Sequence, residues 1–112
     1  MFSRLANQWV VITGGSSGFG AAAARAFAMH KAHVILGARR TELLERVAAD
    51  SLKAGAASAH WHPLDVSHTA SVNDFADWVA KVTPRVDVLI NNAGNAHGLE
   101  PISDGNIADW DA

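Results

Sequence analysis

The sequence predicts an α/β protein: an open parallel sheet with helices on both faces, in the order βαβαβαβ. Three observations carry that reading. Four short runs, residues 8–13, 33–37, 59–64 and 86–91, are largely apolar, and the segments between them place apolar residues at helical spacings. The first run passes to the first helical segment through four of the chain's nine glycines, all within residues 14–20. Strands buried on both faces appear as continuous apolar runs, and their alternation with helices favours a parallel sheet with right-handed crossovers.

Gln8 to Thr13 is β-branched and stops at glycines, as a short buried strand does. Gly18 to about His30 is alanine-rich and helical, with Phe19, Ala23, Ala26, Phe27 and His30 at helical spacings. His33 to Gly37 is the second strand. Thr41 is placed to cap a helix running to about Lys53, whose inner face carries Leu44, Val47, Ala48 and Leu52. Ala59 to Leu64 is a weaker third strand. Ser67 is the expected cap of a third helix, in which Val72, Phe75, Ala76 and Val79 follow the i, i+3, i+4, i+7 pattern before Pro84. Val86 to Asn91 is the fourth strand.

The 112 residues support one domain at most. A formal net charge of −2 provides no basic field for nucleic acid or anionic lipid, and no apolar run approaches the length of a bilayer span. With no cysteine there is no disulfide, thiolate zinc site or cysteine nucleophile. The expected setting is cytoplasmic. Six histidines invite a metal reading, and His60 and His62 share one strand face, but no third ligand has a suitable spacing, so no metal site is expected. Trp9, Trp61, Trp78 and Trp110 are read as packing residues.

A strand that ends in glycines and opens a helix is built to hold phosphate. The first helical N–H groups lack internal partners and carry partial positive charge, and glycine lets the backbone approach a pyrophosphate. The spacing is T-G-x-x-x-G-x-G, at Thr13, Gly14, Gly18 and Gly20. Asp65-Val66 follows the third strand, and Asn91-Asn92-Ala93-Gly94 follows the fourth. In this order, each at the carboxyl end of a strand, the three motifs resemble the short-chain dehydrogenases/reductases, whose cofactor domain is a Rossmann-type sheet.

The resemblance covers essentially the whole chain and implies a role for each matching position. Gly14, Gly15, Ser16, Ser17, Gly18 and Phe19 would wrap the pyrophosphate and the adjacent ribose. Asp65 would bond the adenine amino group, with Val66 against the ring. Asn92, Ala93 and Gly94 would lie along the ribose and brace the central strand. Read without the resemblance, Asp65 is a turn-forming residue and the asparagines terminate a strand.

After the second strand comes Gly37-Ala38-Arg39-Arg40, with no acid in reach of a ribose 2′-hydroxyl. A guanidinium can pair with the 2′-phosphate of NADP, so Arg39 and Arg40 indicate NADP(H). The alternative is a solvated basic pair, although cations are disfavoured at a helix N-terminus. The stretches Gly18-Phe19-Gly20, Gly37 to Arg40 and Asn91 to Pro101 are most similar to the NADP-dependent 3-hydroxy acid dehydrogenases, which act on serine or allo-threonine type substrates.

The family's proton-transfer group is a serine, a tyrosine and a lysine, and this chain has no tyrosine. The expectation is therefore the N-terminal, cofactor-binding portion of an oxidoreductase, with no catalytic residue of its own and inactive alone. Its partner would be a small-molecule substrate, and the full-length form would be a homo-oligomer. A non-catalytic NADP(H)-binding module, or an inactive fragment, remains the alternative. In the expected strand order 3-2-1-4, the fourth strand lies at an edge.

Overall fold

The computed structural model describes residues 4–16 and 18–92. The chain runs β1 (Trp9–Thr13), α1 (Gly18–Met29), β2 (His33–Ala38), α2 (Thr41–Ala54), β3 (Ser58–Pro63), α3 (Thr69–Val82) and β4 (Val88–Asn91). All strand pairs are parallel and the order is β3-β2-β1-β4. This is the Rossmann-type α/β fold that the strand–helix alternation predicts. β2 and β3 step away from β1 on one side while β4 pairs with its other side, so the winding reverses between β1 and β4. In open α/β sheets such a reversal opens a crevice at the carboxyl ends of the strands.

Strand alternation divides the core in two. Val10, Ile12 and Leu36 point to the α1/α2 face and pack with Ala24, Leu44 and Ala48. Val11, Ile35 and Leu89 point to the α3 face and pack with Leu64, Phe75 and Val79. The three helices therefore cover both faces, and the central strands carry apolar side chains on each. Full burial of Phe75 alone contributes roughly 2–3 kcal/mol.

The helical stripes lie slightly off those predicted. In α1 the buried residues are Gly20, Ala24 and Ala28, while Phe19 is 68% exposed. Small residues at i, i+4 and i+8 let the helix lie close to the sheet, a requirement of backbone approach rather than hydrophobicity. In α2 the buried positions are Leu44, Ala48 and Ser51, Val47 packs against the same core as expected, and Leu52 is exposed. Thr41 is the first helical residue and not the cap. Arg40 holds the cap position in an extended conformation, its carbonyl accepting from the Leu44 N–H at 3.1 Å. His68 likewise takes the cap position of α3 in place of Ser67, whose hydroxyl turns to Asp65. β4 begins two residues later than the apolar run, because the Asp87 side chain accepts the Trp9 N–H at 2.8 Å and forms the lead-in.

Three of the histidines, His33, His60 and His62, stack on tryptophans. Trp9 stacks on His33 at 3.9 Å, and the Ser58 hydroxyl lies 2.6 Å from His33 Nδ1 and 2.9 Å from His60 Nε2. His62 stacks on Trp78 and meets Asp74 at 2.8 Å. Trp61 packs on the opposite face, and Trp110 lies outside the described residues. Among the described residues no group of three or more His, Cys, Asp or Glu side chains could hold a metal ion. No helix among them is long and apolar enough to cross a membrane.

Two predictions concern this framework. Burial, assisted by the charge of Arg85, holds the His33 imidazole below its ordinary value, and burial with the neighbouring His33 does the same for His60. The folded state thus disfavours protonation that the unfolded chain accepts near pH 6.5. Stability is expected to fall as pH drops below about 6.5, and His60→Gln should weaken the dependence. Urea midpoints at neutral pH and one to two units lower would measure this, and an unchanged slope in the variant would refute the assignment.

The second concerns Ser51, 1% exposed, whose hydroxyl has no hydrogen-bond partner among the described residues. Ser51→Ala removes an unsatisfied polar group and improves helix propensity, so it should stabilise the protein by about 1 kcal/mol. A lower urea midpoint in Ser51→Ala would show that the hydroxyl has a partner.

Candidate functional site

The ends of all four strands meet at one cleft of about 440 Å³, lined by Gly14, Ser16, Ala38, Arg39, Arg40, Leu64, Asp65, Val66, Ser67 and Asn92. Each strand delivers a different chemistry. β1 ends in the glycine turn, β2 in two arginines, β3 in a carboxylate and β4 in an amide.

The glycine turn is held from behind. Gly14 adopts φ 73°, a left-handed conformation for which glycine is the least strained residue. The N–H groups of Gly14 and Gly15 both donate to the Gly37 carbonyl, at 2.6 and 3.3 Å. These two donors therefore belong to the protein, and an anion here would be met by N–H groups later in the turn and at the start of α1. Gly20 backs onto the turn so closely that a Cβ there would collide with the Gly14 carbonyl oxygen. Gly18 differs, since a Cβ on it would meet no atom of the described residues within 4 Å. Packing gives no reason for glycine at that position, whereas approach of a ligand to the backbone does. The residues present thus fit a bound pyrophosphate.

β2 stops at Ala38 and leaves Arg39 and Arg40 exposed at the cleft. At the end of β3, Asp65 Oδ1 accepts both the N–H and the hydroxyl of Ser67, at 3.0 and 2.6 Å. These bonds hold the Asp65 carboxyl below its usual range, the Ser67 hydroxyl first, with smaller help from His68 and Arg39 and some opposition from burial. The turn-forming reading of Asp65 is thus realised, and the same residue still faces the cleft. Val66, 45% exposed, gives the wall an apolar surface.

The two asparagines have different tasks. Thr13 Oγ1 donates to Asn91 Oδ1 at 2.9 Å, which ties the end of β1 to the end of β4. Asn92 Nδ2 donates to the Gly14 carbonyl at 3.3 Å, and its N–H donates to the Thr13 carbonyl at 3.2 Å. The tip of β4 therefore braces the glycine turn and lines the cleft.

Of the residues singled out from sequence, Gly14, Ser16, Arg39, Arg40, Asp65, Val66 and Asn92 line this cleft. Gly15 lies beneath it, its Cβ position 3.2 Å from Leu36 Cδ2. Gly18 and Phe19 open α1 beside it. Ser17, Ala93 and Gly94 lie outside the described residues. Sequence reasoning missed Ala38, Leu64 and Ser67. For Ser67 a signal existed, because an aspartate two residues ahead of a serine is a common side-chain-stabilised turn.

A parallel sheet with its cleft at the winding reversal, closed by a glycine turn, defines a Rossmann-type α/β protein of the kind that takes ligands at the strand ends. Residues 8–112 match the short chain dehydrogenase family, and the chain belongs to that family. Family members are oxidoreductases that bind nicotinamide cofactors. The chain is 39% identical over 107 residues to meso-2,3-butanediol dehydrogenase of Serratia marcescens, a match covering 96% of this chain and 41% of that one. It is 42% identical to a metagenomic short-chain oxidoreductase solved in complex with NADP, with a TM-score of 0.76, covering 82% of this chain and 41% of that one. NAD⁺-bound xylitol dehydrogenase is similar at 26% identity and a TM-score of 0.77, covering 82% of this chain and 35% of that one. The chain thus spans about two fifths of the length of the curated relative.

Proposed function

We propose that these 112 residues are the N-terminal, NADP(H)-binding portion of an oxidoreductase that moves hydride between the nicotinamide and a hydroxyl or carbonyl group of a small molecule. The observation that carries the cofactor choice is the pair Arg39 and Arg40 at the cleft edge directly after β2, where no carboxylate stands. A carboxylate there would repel a 2′-phosphate, whereas a guanidinium accepts it through paired N–H groups.

When bound, the cofactor supplies or takes the hydride. The chain's own residues hold it. The backbone from Gly14 to Phe19, with the hydroxyls of Ser16 and Ser17, cradles the pyrophosphate. Arg39 and Arg40 neutralise the 2′-phosphate, Asp65 and Val66 receive the adenine, and Asn92, Ala93 and Gly94 follow the ribose. The proton that accompanies hydride transfer would come from groups outside this cradle, and the whole enzyme would be a homo-oligomer.

The proposed substrate class is a 3-hydroxy acid, supported by the likeness of the glycine turn, Gly37 to Arg40 and Asn91 to Pro101 to enzymes of that class. Titration of NADPH and NADH at one fixed salt concentration tests the cofactor reading, with NADPH expected to bind about ten- to a hundredfold more tightly. Equal affinities would overturn it.

A further inference from the structure

Asp65 is fixed through both its backbone and its carboxylate. Its N–H donates to Ser71 Oγ at 2.9 Å, and the preceding Leu64 N–H donates to the Ala38 carbonyl at 2.9 Å, which anchors the backbone to β2 and α3. Its Oδ1 accepts two bonds from Ser67. His68 Nδ1 lies 2.9 Å from Ser67 Oγ and 3.2 Å from Asp65 Oδ2. An ionised carboxylate offers about four acceptor positions. Ser67 fills two, both on Oδ1, and a single imidazole N–H shared with the Ser67 hydroxyl fills at most one more. Acceptor capacity therefore remains on Oδ2, on a side chain 33% exposed at the wall of the cleft.

Ser67 is available for this because it does not cap α3. His68 holds the cap position, and the cap has no side-chain hydrogen bond. The hydroxyl that would ordinarily serve the helix serves the carboxylate instead.

We propose that Ser67 is a positioning residue that sets the Asp65 carboxylate so that Oδ2 accepts from an exocyclic amino group of the bound purine, selecting 6-amino over 6-oxo purines. The inference rests on the reading of the cleft as a nucleotide site. A carboxylate only accepts, so a purine presenting a carbonyl oxygen at that point meets repulsion and leaves the acceptor unpaired. Because Ser67 holds the rotamer before binding, less conformational freedom is lost when the base arrives.

The test compares NADPH with reduced nicotinamide hypoxanthine dinucleotide phosphate, its 6-oxo analogue, by nicotinamide fluorescence on the full chain. Wild type, Ser67→Ala and Ser67→Thr are titrated. Wild type should bind the 6-oxo analogue about tenfold more weakly than NADPH. Ser67→Ala should weaken NADPH about fivefold and leave the analogue unchanged, and Ser67→Thr should restore NADPH. Ser67 is exposed, so Ser67→Ala should keep the wild-type unfolding midpoint. The acid limb of NADPH binding should also move to higher pH in Ser67→Ala, since the Ser67 hydroxyl is the main cause of the low Asp65 value. If NADPH binds but Ser67→Ala changes both ligands alike or neither, the positioning role is wrong and the nucleotide reading stands. If wild type binds neither ligand, both fail.

Discussion

Ala38→Asp with Arg39→Ala is expected to reverse cofactor choice, so that NADH binds more tightly than NADPH. The two cofactors share the pyrophosphate, and the glycine turn therefore contributes equally to both. Discrimination rests on the 2′-phosphate and the residues after β2. A charge-assisted hydrogen bond to phosphate is worth roughly 1.5–3 kcal/mol, and its loss should weaken NADPH about ten- to a hundredfold. Arg39→Ala alone should do this while leaving NADH nearly unchanged. Adding Asp at 38 introduces repulsion toward the phosphate and an acceptor for a 2′-hydroxyl, and the combination turns a reduced preference into a reversed one. Ala38 is only 7% exposed and packs near Leu44 and Ala48, so the double variant should also lose some stability. Arg39 is exposed, so Arg39→Ala separates binding from folding. The titrations need one fixed ionic strength, because exposed charge pairs are screened by salt. An unchanged NADPH-to-NADH ratio in both variants would remove Arg39 from the site.

Gly20→Ala should abolish measurable cofactor binding and destabilise the fold by about 3 kcal/mol, the upper end of overpacking costs. The added methyl would collide with the Gly14 carbonyl oxygen and lie 2.8 Å from Gly15 Cα. Both neighbours are backbone, so no rotamer change relieves the clash. The turn cannot withdraw easily, because Gly14 and Gly15 donate to Gly37 and the Gly14 carbonyl accepts from Asn92. Either α1 moves off the sheet, exposing Ala24 and Ala28, or the turn deforms and the cleft floor is lost. Gly18→Ala is the contrast. Its methyl meets no atom of the described residues within 4 Å, so it should leave the stability within about 0.5 kcal/mol while weakening cofactor binding. Thermal unfolding of the two variants beside NADPH titration checks both. A Gly20→Ala protein of wild-type midpoint and affinity would mean that the helix and turn are not packed as described.

The strand–helix alternation was legible because buried parallel strands are apolar on both faces and helices repeat near every fourth residue. The glycine turn, the arginine pair and the aspartate were legible because each is a short local pattern at a strand end. Boundaries and stripes were less so. Thr41 and Ser67 have the chemistry of helix caps, yet Arg40 and His68 hold those positions. A cap is decided by how many residues the turn requires, and the sheet sets that number. Phe19 fits the helical spacing, yet the close approach of α1 to β1 and the glycine turn places Gly20 inward instead.

The amino-acid sequence by itself determined the α/β class, the number and order of the described elements, and the three strand-end motifs that place the chain among dehydrogenases. These depend on periodicity and local backbone chemistry, which neighbours along the chain specify. Only the tertiary structure decided which of the marked residues meet. It gave the Gly14 and Gly15 N–H groups to Gly37, made Asn92 a brace for the glycine turn, and joined His33, Ser58 and His60 across β2 and β3. It also turned Ser67 from a helix cap into the partner of Asp65. The pairings between strands depend on strand register and crossover length, which bring together residues as far as 78 positions apart in the chain; no local pattern encodes that distance.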